Sequence, residues 1–505
     1  MGVPGLSIER GRGPFDRSLT GFAENTFVSS LFAALGTAAN ALDVLEKAIG
    51  VVQNNVANAN TPGYVTQTPT FIARPFDAAE NVWGGVESGA VQNARNTYAE
   101  QAVWSANQRA GSATQQATSL DALQNVFDVS GTSGIPDALS QLSAAFSGWS
   151  ANPTDTTARQ QVLTAAQNLS QSFNQAATGA ATIRSQTDQQ LATTVSQINQ
   201  YAAQIANINL QIRQGSGSDA GLQSQLYNTI EQLSSLAPVT VRTESDGTAT
   251  VLLGGQSPLV IGQTEKPLRL VYPPNGVGAS YPGASPNAQL LSADGHDVTP
   301  LASDGQLGGL LAFRNTALPA VIGNGQQQGS LNQLAQGIAD RVNGLLTSGQ
   351  LSAGPPPVPG VKLFTYSPAS GTVAAATLGI DPSVTASDLA AATSTSANGT
   401  ASALAGLTNS HNGADQINGL NYTDFYSNIA SQIGQQAASA SSTSAAQTQI
   451  LTQAQNLRAQ VSGVSLNDQA ASLMQFQQGY QAAAQMITVI NNITQSLLTM
   501  MQGIG

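Results

Sequence analysis

Few side chains in this chain could carry acid–base or metal chemistry. There is no cysteine, and the two histidines are His296 and His411. Without cysteine, thiolate nucleophiles, iron–sulfur clusters, cysteine-bound zinc and disulfides are excluded. His296 lies in Asp294-Gly295-His296-Asp297, where carboxylates beside an imidazole could make a general base or half of a metal site. No second histidine is near enough to complete a ligand set, so a solvated turn is the better expectation. His411 stands in Ser410-His411-Asn412-Gly413, the composition of a loop. The Asp-Gly pairs beginning at Asp246 and Asp304 resemble the start of calcium loops but lack the ligands that should follow. There is no P-loop, no Gly-x-Ser-x-Gly elbow and no His-Glu-x-x-His pair. These residues predict no catalytic site, no cofactor and no metal: a protein that works through its surfaces and is not an enzyme.

Charge is scarce. The 505 residues include 17 Lys or Arg and 28 Asp or Glu, for a net charge of −11. Such a surface disfavours nucleic acid or acidic lipid held by a general electrostatic field, and the basic residues form no stripe. No run of about 18 apolar residues occurs, so no membrane-spanning helix is expected. Apolar residues make up 41% of the chain, enough for substantial cores, and the length exceeds what one core usually holds. The first 27 residues carry Arg10, Arg12 and Arg17 without the apolar core of a Sec signal peptide. With Gly11-Arg12-Gly13-Pro14 among them, they read as a disordered arm.

The residues that must position surfaces lie at the two ends. Val28, Leu31, Leu35, Ala38, Leu42, Leu45, Ile49, Val52 and Val56 recur at alternating spacings of three and four. Leu473, Phe476, Tyr480, Ala483, Ile487, Ile490, Thr494, Leu497 and Met501 do the same. That spacing puts apolar side chains in one narrow stripe along a helix. Such a stripe can be the core face of a bundle helix or a seam between helices, and periodicity alone leaves both open. Placement at the extreme ends, with few charges on the other faces, favours an assembly seam.

The first of these helices, over about 27–58, is predicted to be about 48 Å long. It stops at the turn containing Asn54, Asn55, Asn58, Asn60, Thr61, Pro62, Gly63 and Tyr64. Pro62 removes a donor and disfavours helix at Thr61, and Gly63 permits positive φ. The turn is expected to orient the first helix against the next domain.

The fold class expected is mainly α with a smaller β part. It comprises terminal coiled-coil helices, an elongated helical-bundle middle domain and an inserted antiparallel β domain. Residues 28–62 plus 462–505 form the inner coiled-coil domain; residues 63–237, 304–350 and 420–461 form the helical middle domain. Helices are predicted over 91–126, 136–149, from 157 with Asp155 as cap, 183–213 and 222–236. Period-two segments at 239–243, 248–253, 259–261 and 268–272 make residues 238–303 the β-rich outer domain. Residues 351–419, rich in Pro, Ser, Thr and Ala, are expected to be partly irregular.

The two ends also resemble a known family. Asn54-Asn55-Val56-Ala57-Asn58-Ala59-Asn60-Thr61-Pro62-Gly63-Tyr64 is similar to the N-terminal signature of bacterial flagellar rod, hook and hook-associated proteins. Ser462-Gly463-Val464-Ser465-Leu466-Asn467-Asp468-Gln469-Ala470, followed by the run 473–482, resembles their C-terminal signature. The interior block Gly305-Gln306-Leu307-Gly308-Gly309-Leu310-Leu311-Ala312-Phe313-Arg314 is similar to one in the hook-associated protein 1 family, the first hook–filament junction proteins. Asn152-Pro153 with Ala158-Arg159-Gln160, and Asp424-Phe425-Tyr426, also resemble that family. The similarity spans about residues 31–501. Gln306 departs from the acidic residue common there, and the arm before the first helix is additional.

The resemblance implies a secreted structural subunit of the flagellum at the hook–filament junction, outside the cell. It also implies export by the flagellar type III pathway without a cleaved signal. Its partners would be copies of itself, the flagellar hook protein, the second hook-associated junction protein and a flagellar export chaperone. Two alternatives stay open: another axial subunit of hook or filament type, or a secreted adhesin or hydrolase active through the β domain.

Overall fold

The computed structural model describes residues 18–77, 82–127, 133–216, 219–276, 279–281, 283–352, 356–367, 373–410 and 412–502, with side chains of 18–29, 77, 82, 83, 216 and 501 set aside. Its helices are α1 (Ser18–Ala57), α2 (Thr97–Gln124), α3 (Gly134–Ala151), α4 (Thr156–Gln211), α5 (Ala220–Leu236), α6 (Gly305–Ala312), α7 (Leu318–Ile322), α8 (Ser330–Ser348), α9 (Ala374–Thr377), α10 (Gly399–Ala405), α11 (Tyr422–Ser462) and α12 (Leu466–Gln502). The chain divides into two compact units, residues 1–96 with 459–505, and residues 97–458.

The first unit joins both ends of the chain. Helices α1 and α12 pack along one another. Asn55 near the end of α1 meets Gln469 near the start of α12, and Leu45 lies against Gly479 further along, so the pair is antiparallel. Helix α1 begins at Ser18, so residues 18–27, expected to be part of a disordered arm, are helical. No proline interrupts the chain between Pro14 and Pro62, and a helix once nucleated extends until something stops it. The first 17 residues of that arm lie outside the described residues.

After α1, strands β1 (Gln67–Thr68), β2 (Phe71–Ala73) and β3 (Phe76–Asp77) pair with β6 (Gln92–Asn93), β5 (Val86–Ser88) and β4 (Val82–Trp83) in nested antiparallel fashion. They form one interrupted hairpin that runs beside α1. This is why residues 63–96 belong with the terminal helices, where the sequence pattern predicts them in the middle domain. It also covers a second side of α1, where Val44 and Ala48, both off the predicted stripe, are fully buried.

The second unit holds two apolar cores. One gathers α3, the first part of α4, α7, α8, the segment 363–407 and the start of α11 around Phe146, Trp149, Phe173 and Phe313. The other gathers the last part of α4, α5, α6 and a β part around Ile198, Ile205, Leu226 and Leu259. The β part is a four-stranded antiparallel sheet in the order β10 (Thr264–Glu265), β9 (Ser257–Ile261), β8 (Ala249–Leu253), β7 (Val239–Thr243), with the pair β11 (Arg269–Val271) and β12 (Gln289–Leu291).

Helix α4 serves both cores. Its start is capped by Asp155, whose Oδ1 accepts from the Thr157 amide at 2.8 Å, and at 56 residues it runs about 84 Å. Residues expected to start a separate helix near 183 are its middle. The segment 351–419 contributes Leu363, Phe364, Leu378, Leu389 and Leu404 to the first core, with β13 (Phe364–Thr365) and β14 (Gly379–Ile380) pairing within it. Irregular backbone is thus buried, its polar groups met by side chains such as Asn343.

Candidate functional site

The turn after α1 is built by its own asparagines. Asn58 Nδ2 donates to the Asn54 side-chain oxygen at 2.6 Å, and the Thr61 hydroxyl donates to Asn58 Oδ1 at 3.1 Å. Gly63 takes φ 76°, the left-handed region that favours glycine, and Arg95 Nη2 donates to its carbonyl at 2.8 Å. Asn60 and Pro62 are exposed.

Asn55 is different: it is fully buried and makes four hydrogen bonds. Its Oδ1 accepts from the Tyr64 hydroxyl and the Gln67 amide, both at 2.9 Å. Its Nδ2 donates to the Gln67 carbonyl and to Gln469 Oε1, both at 2.8 Å. Burial raises the Tyr64 hydroxyl pKa above its ordinary value, so that bond keeps its proton. The N-terminal turn and the C-terminal Asn467-Asp468-Gln469 segment, 414 residues apart, therefore meet at one saturated polar hub. Beside it, Thr66 donates to the carbonyls of Ser462 and Gly463 at 3.0 and 2.7 Å through its amide and hydroxyl.

Along the pair, Leu31, Leu35, Leu42, Leu45 and Ile49 are half-buried, Ala38 and Val52 are buried, and Val56 is exposed. On α12, Leu473, Phe476, Ile487 and Leu497 are half-buried, Ala483 and Ile490 are buried, and Tyr480 is 39% exposed. Phe476 meets Phe71 of β2 edge to face at 5.9 Å. The side chains of Val28 and Met501 lie outside the described residues.

The sequence reading missed a second stripe on α12. Met486, Val489, Ile493 and Met500 are 42–60% exposed and repeat the same heptad spacing one residue ahead of the first seam. The signal was present, since the stripe has the same period, but the stronger register masked it. Gln469 lies within the C-terminal motif, and no local pattern marks it as the partner of Asn55.

The interior block has a packing role. A Cβ on Gly309 would stand 2.7 Å from the Ser112 carbonyl oxygen, so only glycine lets α6 approach α2 this closely. Leu307, Leu310 and Leu311 fill the second core. A π-turn at Phe313–Ala317 then aims Arg314 at Asp188 of α4, with Nε to Oδ1 at 2.7 Å, while Nη2 donates to the Pro286 carbonyl at 3.1 Å. The Tyr272 ring lies 5.8 Å from the guanidinium, and burial, reinforced by Asp188, pushes its hydroxyl well above the usual range.

His296 sits exposed in a tight turn whose bonds are made by backbone and Ser292. His411 lies outside the described residues. Among the described residues, no three His, Cys, Asp or Glu side chains cluster as metal ligands, and no helix is long and apolar enough to cross a membrane.

Comparison with known proteins bears on this arrangement. Residues 120–364 match the family model of the flagellar hook-associated protein FlgK helical domain, and residues 35–64 that of the flagella basal body rod protein. Flagellar hook-associated protein 1 of Bacillus subtilis (strain 168) is 26% identical over 514 residues, covering 95% of this chain and 100% of that protein. The Escherichia coli (strain K12) protein of the same name is 23% identical over 92% of this chain and 99% of its own length. That of Salmonella typhimurium is 28% identical over 62% of this chain, a match spanning 56% of that protein. The solved flagellar hook junction protein FlgK from Burkholderia pseudomallei shares the fold. Its TM-score is 0.59 at 20% identity, over 71% of this chain and 99% of that one.

Proposed function

We propose that this chain, a structural subunit of the bacterial flagellum at the hook–filament junction that is similar over most of its length to flagellar hook-associated protein 1, is built into that assembly by its two terminal helices. The observation that carries the proposal is the second apolar stripe of α12. The first seam turns toward α1 within the chain, leaving Met486, Val489, Ile493 and Met500 on the solvent side of an already folded helix. Burying each such side chain against another helix is worth about 1.5–3 kcal/mol. Docking copies through a preformed face avoids much of the ordering penalty that an unfolded segment would meet.

In this reading the neighbours are copies of the same chain, hook protein on one side and the second hook-associated junction protein on the other. The subunit reaches them by the flagellar type III pathway, without a cleaved signal and with an export chaperone. A chain without disulfides suits passage through a narrow channel in unfolded form.

The test compares two substitutions in cells carrying a labelled copy of this protein. Val489→Asp should leave circular dichroism and thermal unfolding of the purified chain near the parent's, yet remove the label from flagella and prevent filament attachment. Ile487→Asp, in the half-buried inner seam, should also disturb α1–α12 pairing in the isolated chain. A thin labelled band at the hook–filament boundary with Val489→Asp would overturn assembly through this face. Label along the whole hook or filament in the parent strain would favour another axial role.

A further inference from the structure

Apolar heptads hold two helices together without saying which turn should face which. Sliding one helix by seven residues brings similar side chains back into the seam. Two features of the α1–α12 pair break that degeneracy. Asn55 and Gln469, 0% and 7% exposed, join the helices by a side-chain hydrogen bond, with Nδ2 to Oε1 at 2.8 Å. Ten residues back along α1, Leu45 packs over Gly479, where an added Cβ would lie in van der Waals contact, 3.4 Å from both Leu45 methyl carbons.

Sliding α12 by one heptad in one direction sets Phe476 level with Asn55 and Met486 level with Leu45. The amide then faces a ring with no acceptor, and Leu45 meets a long side chain where it now meets none. Sliding in the other direction brings Ser462 level with Asn55, beyond the start of α12. An unmatched buried amide is the kind of feature that fixes register in helical pairs.

We propose that Asn55 and Gln469, assisted by the seat that Gly479 offers Leu45, are a register pin that selects one stagger of the terminal helices among those the apolar stripes allow. Asn55 suits the task because Gln67 and Tyr64 already hold its side chain in place. The pin concerns two helices of one chain and stands whether or not copies dock on α12.

The absence of cysteine makes the register directly readable. Stepping from the two contacts along the antiparallel pair brings Leu42 within one residue of Ala483, the buried seam position there, in the native stagger, and within one residue of Ile490 after a one-heptad slip. Leu42→Cys with Ala483→Cys, and Leu42→Cys with Ile490→Cys, are oxidised in the purified full-length chain and the disulfide yields compared. The parent background should give the 42–483 product at least tenfold over the 42–490 product. Gln469→Leu, which spares the bonds of Asn55 to the turn, and Asn55→Leu with Gly479→Ala should each raise the 42–490 share at least tenfold. Gln469→Glu, which keeps an acceptor for Asn55, should stay near the parent ratio. Gln469→Leu with helix content retained and an unchanged ratio would overturn the pin. So would failure of the parent to form the 42–483 product.

Discussion

Asparagine does in this chain much of what charge does elsewhere. Asn55, Asn199, Asn209, Asn315 and Asn343 each hold both the N–H and the C=O of one distant residue: Gln67, Leu268, Ala249, Ala288 and Phe364 respectively. A carboxamide presents one donor and one acceptor side by side, so it imitates a neighbouring peptide and takes up backbone groups that the strand ladders leave open. Asn209 is fully buried and also donates to the Gly262 carbonyl at 2.6 Å. Asn209→Asp is expected to destabilise the second unit by about 3 kcal/mol, because two carbonyls would then face an acceptor. A lowered urea midpoint at pH 8 would register it. The loss should be smaller at pH 4, since a carboxyl protonated by burial regains one donor; equal losses at both pH values would count against this account.

At the scale of elements, what was legible depended on whether the signal was periodic. The terminal stripes, the stop at Pro62 and the Asp155 cap could be read because each acts within a few residues of itself. The continuity of α4 could not, since the stretch Arg184–Gln190 between its two cores is polar and carries no stripe to connect them. Burial of residues 363–407 was equally hidden, because short alanine-rich pieces gain their order from the core they fill. The hub at Asn55 was half visible: the turn was recognised, but nothing local marks Gln469 as its partner.

Helix α11 shows a related limit. Its start is buried in the first core, while beyond Ala440 most of it is exposed. A groove of about 680 Å³, lined by Gln116, Thr316, Gln432, Gln435 and Gln436 among others, lies between it, α2 and the π-turn. It is then tied down by Thr114 to Ser444 at 3.0 Å and by Arg458, whose Nη1 reaches Glu231 at 2.6 Å and Glu100 at 3.2 Å. Burial works against the Arg458 charge, but its bonds and the two carboxylates outweigh this and hold its pKa above the ordinary value. Arg458→Met is therefore expected to speed amide exchange over 441–458 at least tenfold while α4 stays protected. Exchange measured by mass spectrometry that leaves this half of α11 as slow as before would show that packing alone retains it.

For the whole molecule, the division into two units is a division of labour. Residues 97–458 are continuous in sequence and contain both large cores. A fragment of these residues is expected to unfold cooperatively on heating, with a midpoint within a few degrees of the corresponding transition in the full chain. A broad, non-cooperative melt would mean that the terminal unit is needed to hold the cores. The other unit has no such independence, because each of its long helices comes from an opposite end. Closing that loop is not thermodynamically severe, as each doubling of a flexible loop adds only about 0.6 kcal/mol.

The hub between Asn55 and Gln469 also sets an order of events. A chain made from its N-terminus presents α1 early and its partner only after more than four hundred further residues. Until then α1 can neither shield its stripe nor satisfy Asn55 through Gln469. A chain cut short anywhere before Gln469 would never do so. Closure of the terminal pair therefore acts as a check on synthesis: only a molecule made through Leu466–Gln502 can present the finished face of α12.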